Sequence, residues 1–260
     1  MDLGLRDRVC VVTGASQGIG LAVCSRLVAE GASVLMVARD EERLRGAAED
    51  LGAEWLAADV TDPDCDERIV ATAAEQLGAI DVLINNAGSS ANIPLAELTD
   101  DDWRAQFELN VLASVRLMQL AAPRMAERGW GRIVNVTSSS GKRPSASNAA
   151  YSAAKAAQLS VSRAFADAWA SRGVLVNAVA PGPIATGLWM DEGGLADQAA
   201  QAAGVSRDEA LKAAAGKLPI GRFGTAQEIA DVVVFLASER AGFVSGAAWS
   251  ADGGTVAIIV

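Results

Sequence analysis

The chain has 260 residues, 51% hydrophobic and 21% charged, a balance that suits a globular protein built as one large domain. Its 32 acidic residues outnumber 22 basic ones for a net charge of −10, which argues against nucleic-acid and membrane-surface partners. Histidine is absent, which excludes Ser-His-Asp hydrolysis, histidine-held metal and histidine-dependent dehydrogenation together.

Short apolar runs alternate with longer amphipathic stretches from the start. Residues 8–12 predict a buried strand, 13–20 a glycine loop that opens a helix through Glu30, and 33–38 a second strand after Gly31. A charged helix over 41–51 precedes a short strand at 54–57, a helix follows Pro63, and 81–84 form the fourth strand. Thr99 to Asp102 reads as a capping box for one long helix running towards Arg128. Strands follow at 131–137 and 173–179, separated by an alanine-rich helix that ends at Gly173. Residues 186–217 break this rhythm: about 30 residues, with a second capping box at 206–209, are long for a connection and read as a substrate lid. Thr225 to Glu228 caps the last core helix, 247–250 form the final strand, and the apolar tail 257–260 follows the turn 252–254.

Such alternation calls for a seven-stranded parallel sheet with helices on both faces, a doubly wound α/β fold in one domain over 1–260. Ligands then bind at the carboxyl ends of the strands, beside the point where the strand order reverses. Every chemically suggestive segment falls at such an end. The N-terminus shows no basic region before an apolar segment, and no apolar run approaches the ~20 residues of a membrane span, so the expected compartment is the cytoplasm. The cysteines Cys10, Cys24 and Cys65 lack metal-ligand spacing and read as buried free thiols; no metal site is expected.

Two motifs carry chemistry. Tyr151 is the only tyrosine, and Lys155 stands four residues later, one turn along the same helix face. A phenol held against an ammonium has a depressed pKa and can exchange a proton with an alcohol or alkoxide. A surface tyrosine beside a surface lysine has the same spacing. The glycines of Gly14-x3-Gly18-x-Gly20 let backbone N–H groups approach a pyrophosphate at a helix start, although a tight turn uses the same residues.

These segments, with Asn85-Asn86-Ala87-Gly88, Asn110, Ser138 and Pro181-Gly182, resemble the short-chain dehydrogenase/reductase family along the whole chain, including 13 positions from Ser138 to Tyr151. The resemblance implies a Rossmann fold that binds NAD(P) and a hydride transfer between nicotinamide and a secondary alcohol/ketone pair. Tyr151 would be the general acid/base, Lys155 its electrostatic partner and a ribose ligand, Ser138 the donor to the substrate oxygen, and Asn110 the holder of a proton-relay water. Gly14, Ser16, Gln17, Gly18, Ile19 and Gly20 would cradle the pyrophosphate. Asp59 and Val60 would face adenine, with Asn86, Ala87 and Gly88 along its ribose. Pro181, Gly182, Ile184 and Thr186 would face the nicotinamide.

Strand two ends in Ala38-Arg39-Asp40, with no carboxylate where a free ribose 2′-OH would want one; Arg39 suits a 2′-phosphate. NADP(H) is therefore favoured over NAD(H), although Gln17 supplies no charge and Asp40 would repel phosphate. Overall likeness is to 3-oxoacyl-[acyl-carrier-protein] reductase-like members, which receive an acidic carrier on basic residues; Arg128, Arg132 and Arg172 are available for that here. The apolar lid residues Leu188, Trp189, Met190 and Leu195 point equally to a free, apolar hydroxy/oxo compound. The resemblance implies a homotetramer, consistent with the small residues Ala153, Ala154, Ala156, Ala157 and Ser160 and with the apolar tail. A non-catalytic nucleotide-binding regulator with the same fold is the alternative.

Overall fold

One sheet of seven parallel strands, in the order β3-β2-β1-β4-β5-β6-β7, carries the chain, and the computed structural model describes residues 2–90 and 92–257. The strands are β1 (Val9–Thr13), β2 (Ser33–Ala38), β3 (Glu54–Ala57), β4 (Val82–Asn85), β5 (Gly131–Val136), β6 (Val174–Pro181) and β7 (Ala248–Ala251). The order reverses between β1 and β4, which opens a crevice above their carboxyl ends.

The apolar strands look continuous in sequence because each buries both of its faces. On β1, Cys10 and Val12 pack in one layer and Val11 in the other; on β2, Val34 and Met36 alternate with Leu35 and Val37. The first layer is filled from α1 (Gly18–Ala29), α2 (Glu41–Leu51) and α10 (Ala226–Ala237). The second is filled from α3 (Cys65–Gln76), α5 (Ala113–Glu127) and α6 (Ala149–Trp169). All three cysteines are buried and free, Cys10 and Cys24 in the first layer and Cys65 in the second. Burial pushes each thiol above its ordinary pKa.

Local signals place the helix starts. Thr99, Ser206 and Thr225 each cap a helix in a reciprocal box with the acidic residue three positions on. Gly31 and Gly173, at φ +84° and +83°, take the left-handed conformation that ends the helices before them.

Two expectations needed correction. The helix opened by Thr99 is not continuous: α4 (Asp100–Phe107) runs into a π turn at Glu108–Leu112 before α5. There the Ala113 N–H bonds to the Glu108 carbonyl five residues back, and this extra residue in the ladder carries Asn110. The segment 186–217 holds three helices rather than one: α7 (Gly187–Met190), α8 (Leu195–Ala203) and α9 (Arg207–Gly216). Asp197 of α8 accepts from the Gly193 N–H at 2.7 Å and pairs with Arg207 of α9 at 3.3 Å, and Arg207 also donates to the Met190 carbonyl at the end of α7. Gln198 of α8 accepts from the Asn92 N–H at 3.0 Å, linking the segment to the loop after β4. No helix among the described residues is long and apolar enough to cross a membrane. The apolar end of the tail, Ile258, Ile259 and Val260, lies outside the described residues.

Candidate active site

A cleft of about 700 Å³ runs over the carboxyl ends of β1, β4, β5 and β6. Its floor is the glycine loop, where Gly14 and Gly18 sit at φ +64° and +57°. Thr13 organises the wall: its hydroxyl accepts the N–H groups of Asn86 and Ala87 at 3.1 and 3.0 Å. Asn86 returns two bonds through Nδ2, to the carbonyls of Thr13 and Gly14 at 2.9 and 3.1 Å. The turn after β4 is thereby locked to the turn after β1. Of the expected pyrophosphate residues, Gly14, Ser16, Gln17, Gly18 and Ile19 line the cleft. Gly20 does not; it packs behind the loop, where a Cβ would lie 2.2 Å from the Gly14 carbonyl oxygen.

At one end of the cleft Arg39 is 73% exposed at its side chain and lies 3.4 Å from Asp59. Burial raises the Asp59 pKa, but bonds from the Thr61 N–H and hydroxyl, with the Arg39 charge, hold its carboxyl below the usual range. Asp40 is less free to repel an anion than its position suggests. It caps α2 by accepting the Arg43 N–H at 3.1 Å, and its carboxylate pairs with the Arg43 guanidinium at 3.5 Å. Arg43 also donates to the Gln17 side chain and lines the cleft. The sequence reading missed Arg43. An arginine one turn into a helix looks like solvated surface, and only the fold brings it to Gln17. Val60, Ala87 and Gly88 line the middle of the cleft, and Pro181, Gly182, Ile184 and Thr186 its far wall.

At the other end Ser138, Tyr151 and Lys155 converge. Lys155 is 3% exposed, which rules out the surface-pair reading. Its ammonium donates to the Val136 carbonyl and to Gln158 Oε1, both at 3.0 Å, and lies 5.8 Å from the Tyr151 ring centroid. Desolvation lowers its pKa to about 7. The depressed phenol pKa expected from the pairing is not found. Burial raises the Tyr151 pKa, and a hydrogen bond with Ser138 offsets only part of that rise. The Lys155 ammonium bonds to Val136 and Gln158 and not to the phenol, so nothing it offers outweighs the burial of the hydroxyl. Tyr151 is therefore a protonated donor at neutral pH.

Asn110 is fully buried behind Gly88 rather than on the cleft surface. Its Nδ2 bonds to the carbonyls of Gln106 and Ser89, while Oδ1 has no partner among the described residues. A Cβ on Gly88 would stand 2.7 Å from that oxygen and 3.3 Å from the Lys155 ammonium, so only glycine leaves these two groups facing each other.

Two expectations about the substrate side change. Leu188 and Trp189 line the cleft, with Trp189 set edge-on against Phe223 at 5.0 Å, but Leu195 is buried in the packing of the helices. Arg132 is 6% exposed, stacked under Trp130 and bonded to the Ser238 and Gly131 carbonyls, because β5 starts inside the sheet. It offers no docking charge. Arg128 is engaged with the Ile80 carbonyl and Asp81.

A dinucleotide fits this donor set: glycines without Cβ atoms at the floor, free guanidinium capacity at one end, and at the other a buried ammonium beside an amide oxygen that has no partner among the described residues. Known proteins agree. A 3-oxoacyl-[acyl-carrier-protein] reductase of Salmonella typhimurium is 36% identical over 254 residues, covering 97% of this chain and 98% of that one. The structure of L-sorbose reductase from Gluconobacter frateurii complexed with NADPH and L-sorbose superposes with a TM-score of 0.92 at 34% identity, with full coverage of both chains. A variant actinorhodin polyketide ketoreductase with NADPH gives 0.92 at 34% identity over 96% of this chain and 98% of that one. The fold and site thus define an NAD(P)-dependent oxidoreductase that interconverts a ketone and an alcohol. Residues 8–194 match the family described as short chain dehydrogenase, and the chain belongs to that family. The alternative of a non-catalytic nucleotide-binding regulator falls away.

Proposed function

We propose that the chain is an NADP(H)-dependent reductase of small, apolar ketones, working through Tyr151, Ser138, Lys155 and Asn110. The observation that carries this reading is the convergence of Ser138 and Tyr151, whose phenol is held protonated by its burial, on the end of the cleft where the buried Lys155 lies. A nicotinamide held in the cleft would supply the hydride that reduces the carbonyl carbon. Ser138 then donates to the carbonyl oxygen as negative charge develops there, and Tyr151 delivers the proton that makes the alcohol. Lys155, in its charged form, stabilises the phenolate left behind, and Asn110 Oδ1 holds the next link towards solvent. The glycine loop and Asn86 would carry the pyrophosphate and adenine ribose, Asp59 and Val60 the adenine, and Ile184 and Thr186 the nicotinamide amide.

Arg39 and Arg43 support NADP(H): together they offer guanidinium groups to a 2′-phosphate, and Asp40 is neutralised by Arg43. NADPH is also the cofactor named with both structural neighbours. Leu188 and Trp189 favour an apolar substrate, with residues 186–217 as its lid. A 3-oxoacyl thioester on a carrier is the second reading, favoured by the identity with the carrier-protein reductase. Exposed Ala156 and Ser160, beside half-buried Ala153 and Ala157 on α6, leave a small-residue face suited to a homotetramer. Cytoplasmic residence fits the same reading. Titration with NADPH and NADH, followed by a panel of ketones, 3-oxoacyl thioesters and sugars, tests it. Oxidation of NADPH by none of these substrates would remove the reductase reading.

A further inference from the structure

The inner face of α6 should be apolar, because it lies against the sheet. Instead Tyr151, Lys155, Gln158 and Ser162 follow one another at helical spacing, and the last three are buried. Gln158 is 1% exposed and sits at the centre of this stripe. Its Oε1 accepts from Lys155 at 3.0 Å, and its Nε2 donates to Ser114 at 3.5 Å. Ser114 in turn donates to the Val111 carbonyl at 2.7 Å, within the π turn that holds Asn110. The Gln158 backbone carbonyl accepts from Ser162 at 2.7 Å, and Ser162 accepts from Asn135 of β5 at 2.8 Å. Both ends of the amide and the helix beneath it are therefore fixed.

A buried ammonium needs its desolvation offset by acceptors. Lys155 has two, the Val136 carbonyl and Gln158 Oε1, and no carboxylate. The one titratable side chain near it among the described residues is Tyr151, on its own helix; β5 offers a carbonyl, and the π turn offers neutral Asn110. An aliphatic residue at position 158 would leave the ammonium with the backbone carbonyl alone.

We infer that Gln158 is the positioning residue of Lys155, aiming its ammonium along α6 and favouring its charged form over the neutral amine. The inference rests on the role proposed for Lys155 and names what sustains it. Without Gln158 the lysine loses its proton at lower pH still, and less of the charge that supports Tyr151 remains at neutral pH. A carboxylate in the same place would do the reverse.

The test uses the purified full chain without cofactor, comparing thermal midpoints of wild type, Gln158→Met and Gln158→Glu from pH 6 to pH 10. Lys155 has a folded pKa of about 7, below its unfolded value, so the cost of its burial is present in full below pH 7 and relieved as pH rises. Gln158→Met enlarges that cost, and its deficit should be about 2–4 °C greater at pH 6 than at pH 10. Gln158→Glu pairs the charge and leaves a lone carboxylate when the lysine is neutral, so its deficit should be greater at pH 10. A packing defect lowers both curves evenly. Parallel curves, or deficits with the same pH slope in both variants, overturn the inference. If Gln158→Met does not fold, the isosteric glutamate variant decides by its slope alone. NADPH fluorescence titration of Lys155→Met examines the underlying reading separately: unchanged affinity and pH dependence would remove the lysine from the cofactor site, whatever Gln158 does.

Discussion

The Cα of Gly20 faces the Gly14 carbonyl so closely that a Cβ would lie 2.2 Å from its oxygen and 2.6 Å from Asn86 Nδ2. Gly20 is helical and not left-handed, so contact and not conformation demands glycine here. Gly20→Ala should push the first turn of α1 off the loop, costing about 1–3 kcal/mol and weakening NADPH binding. Gly46, exposed within α2 with nothing near its Cβ position, is the control. Gly46→Ala should raise stability by about 0.5–1 kcal/mol with NADPH affinity unchanged. Thermal unfolding and fluorescence titration read both.

Tyr151→Phe removes the hydroxyl and leaves the ring in place. Ketone reduction should fall about 10²–10⁴-fold, while NADPH affinity stays near wild type. Ser138→Ala should also slow turnover, by about 10²–10³-fold, through loss of the donor to the carbonyl oxygen. Steady-state rates beside binding curves separate chemistry from cofactor capture; wild-type turnover in the phenylalanine variant would refute the assignment.

Arg39→Ala and Arg43→Ala should each weaken NADPH by about tenfold or more, since a hydrogen bond to a charged group contributes about 1.5–3 kcal/mol. NADH affinity should change little in either variant. Equal loss for both cofactors would show that the two arginines hold the loop rather than the 2′-phosphate.

Glu228 closes the cap of α10, accepting the Thr225 N–H at 2.8 Å and pairing with Arg222 at 2.9 Å. The Arg222 bond, with the Thr225 N–H, lowers its pKa to about 2. Its contribution is present in full above pH 4.5 and is lost as pH falls through about 2. Glu228→Gln keeps a reach-back oxygen but no charge. Between pH 5 and pH 2 its thermal midpoint should fall less than that of wild type; equal acid slopes would remove the pairing from the account.

What the sequence disclosed was what neighbours along the chain decide. The boxes at Thr99, Ser206 and Thr225, the left-handed stops at Gly31 and Gly173, and the strand–helix alternation are local, and each matches the structure. Tyr151 and Lys155 were legible because spacing along a helix face carries into space, and Ser138 through the family resemblance that its place 13 residues before Tyr151 supports. What stayed hidden depends on partners far along the chain. Arg43 reaches Gln17 across 26 positions, and Gln158 reaches Ser114 across 44. Arg132 looks like surface charge until Trp130 and the start of β5 enclose it. The π turn at Asn110 inserts one residue into a pattern that reads as unbroken helix.

The three sealed thiols give the chain an internal clock. A labelling reagent such as a disulfide dye reaches Cys10 and Cys24 only when the layer under α1 and α10 parts, and Cys65 only when the opposite layer does. Modification rates at each position would therefore time the breathing of the two halves independently, and cofactor binding across the crevice should slow whichever half it clamps.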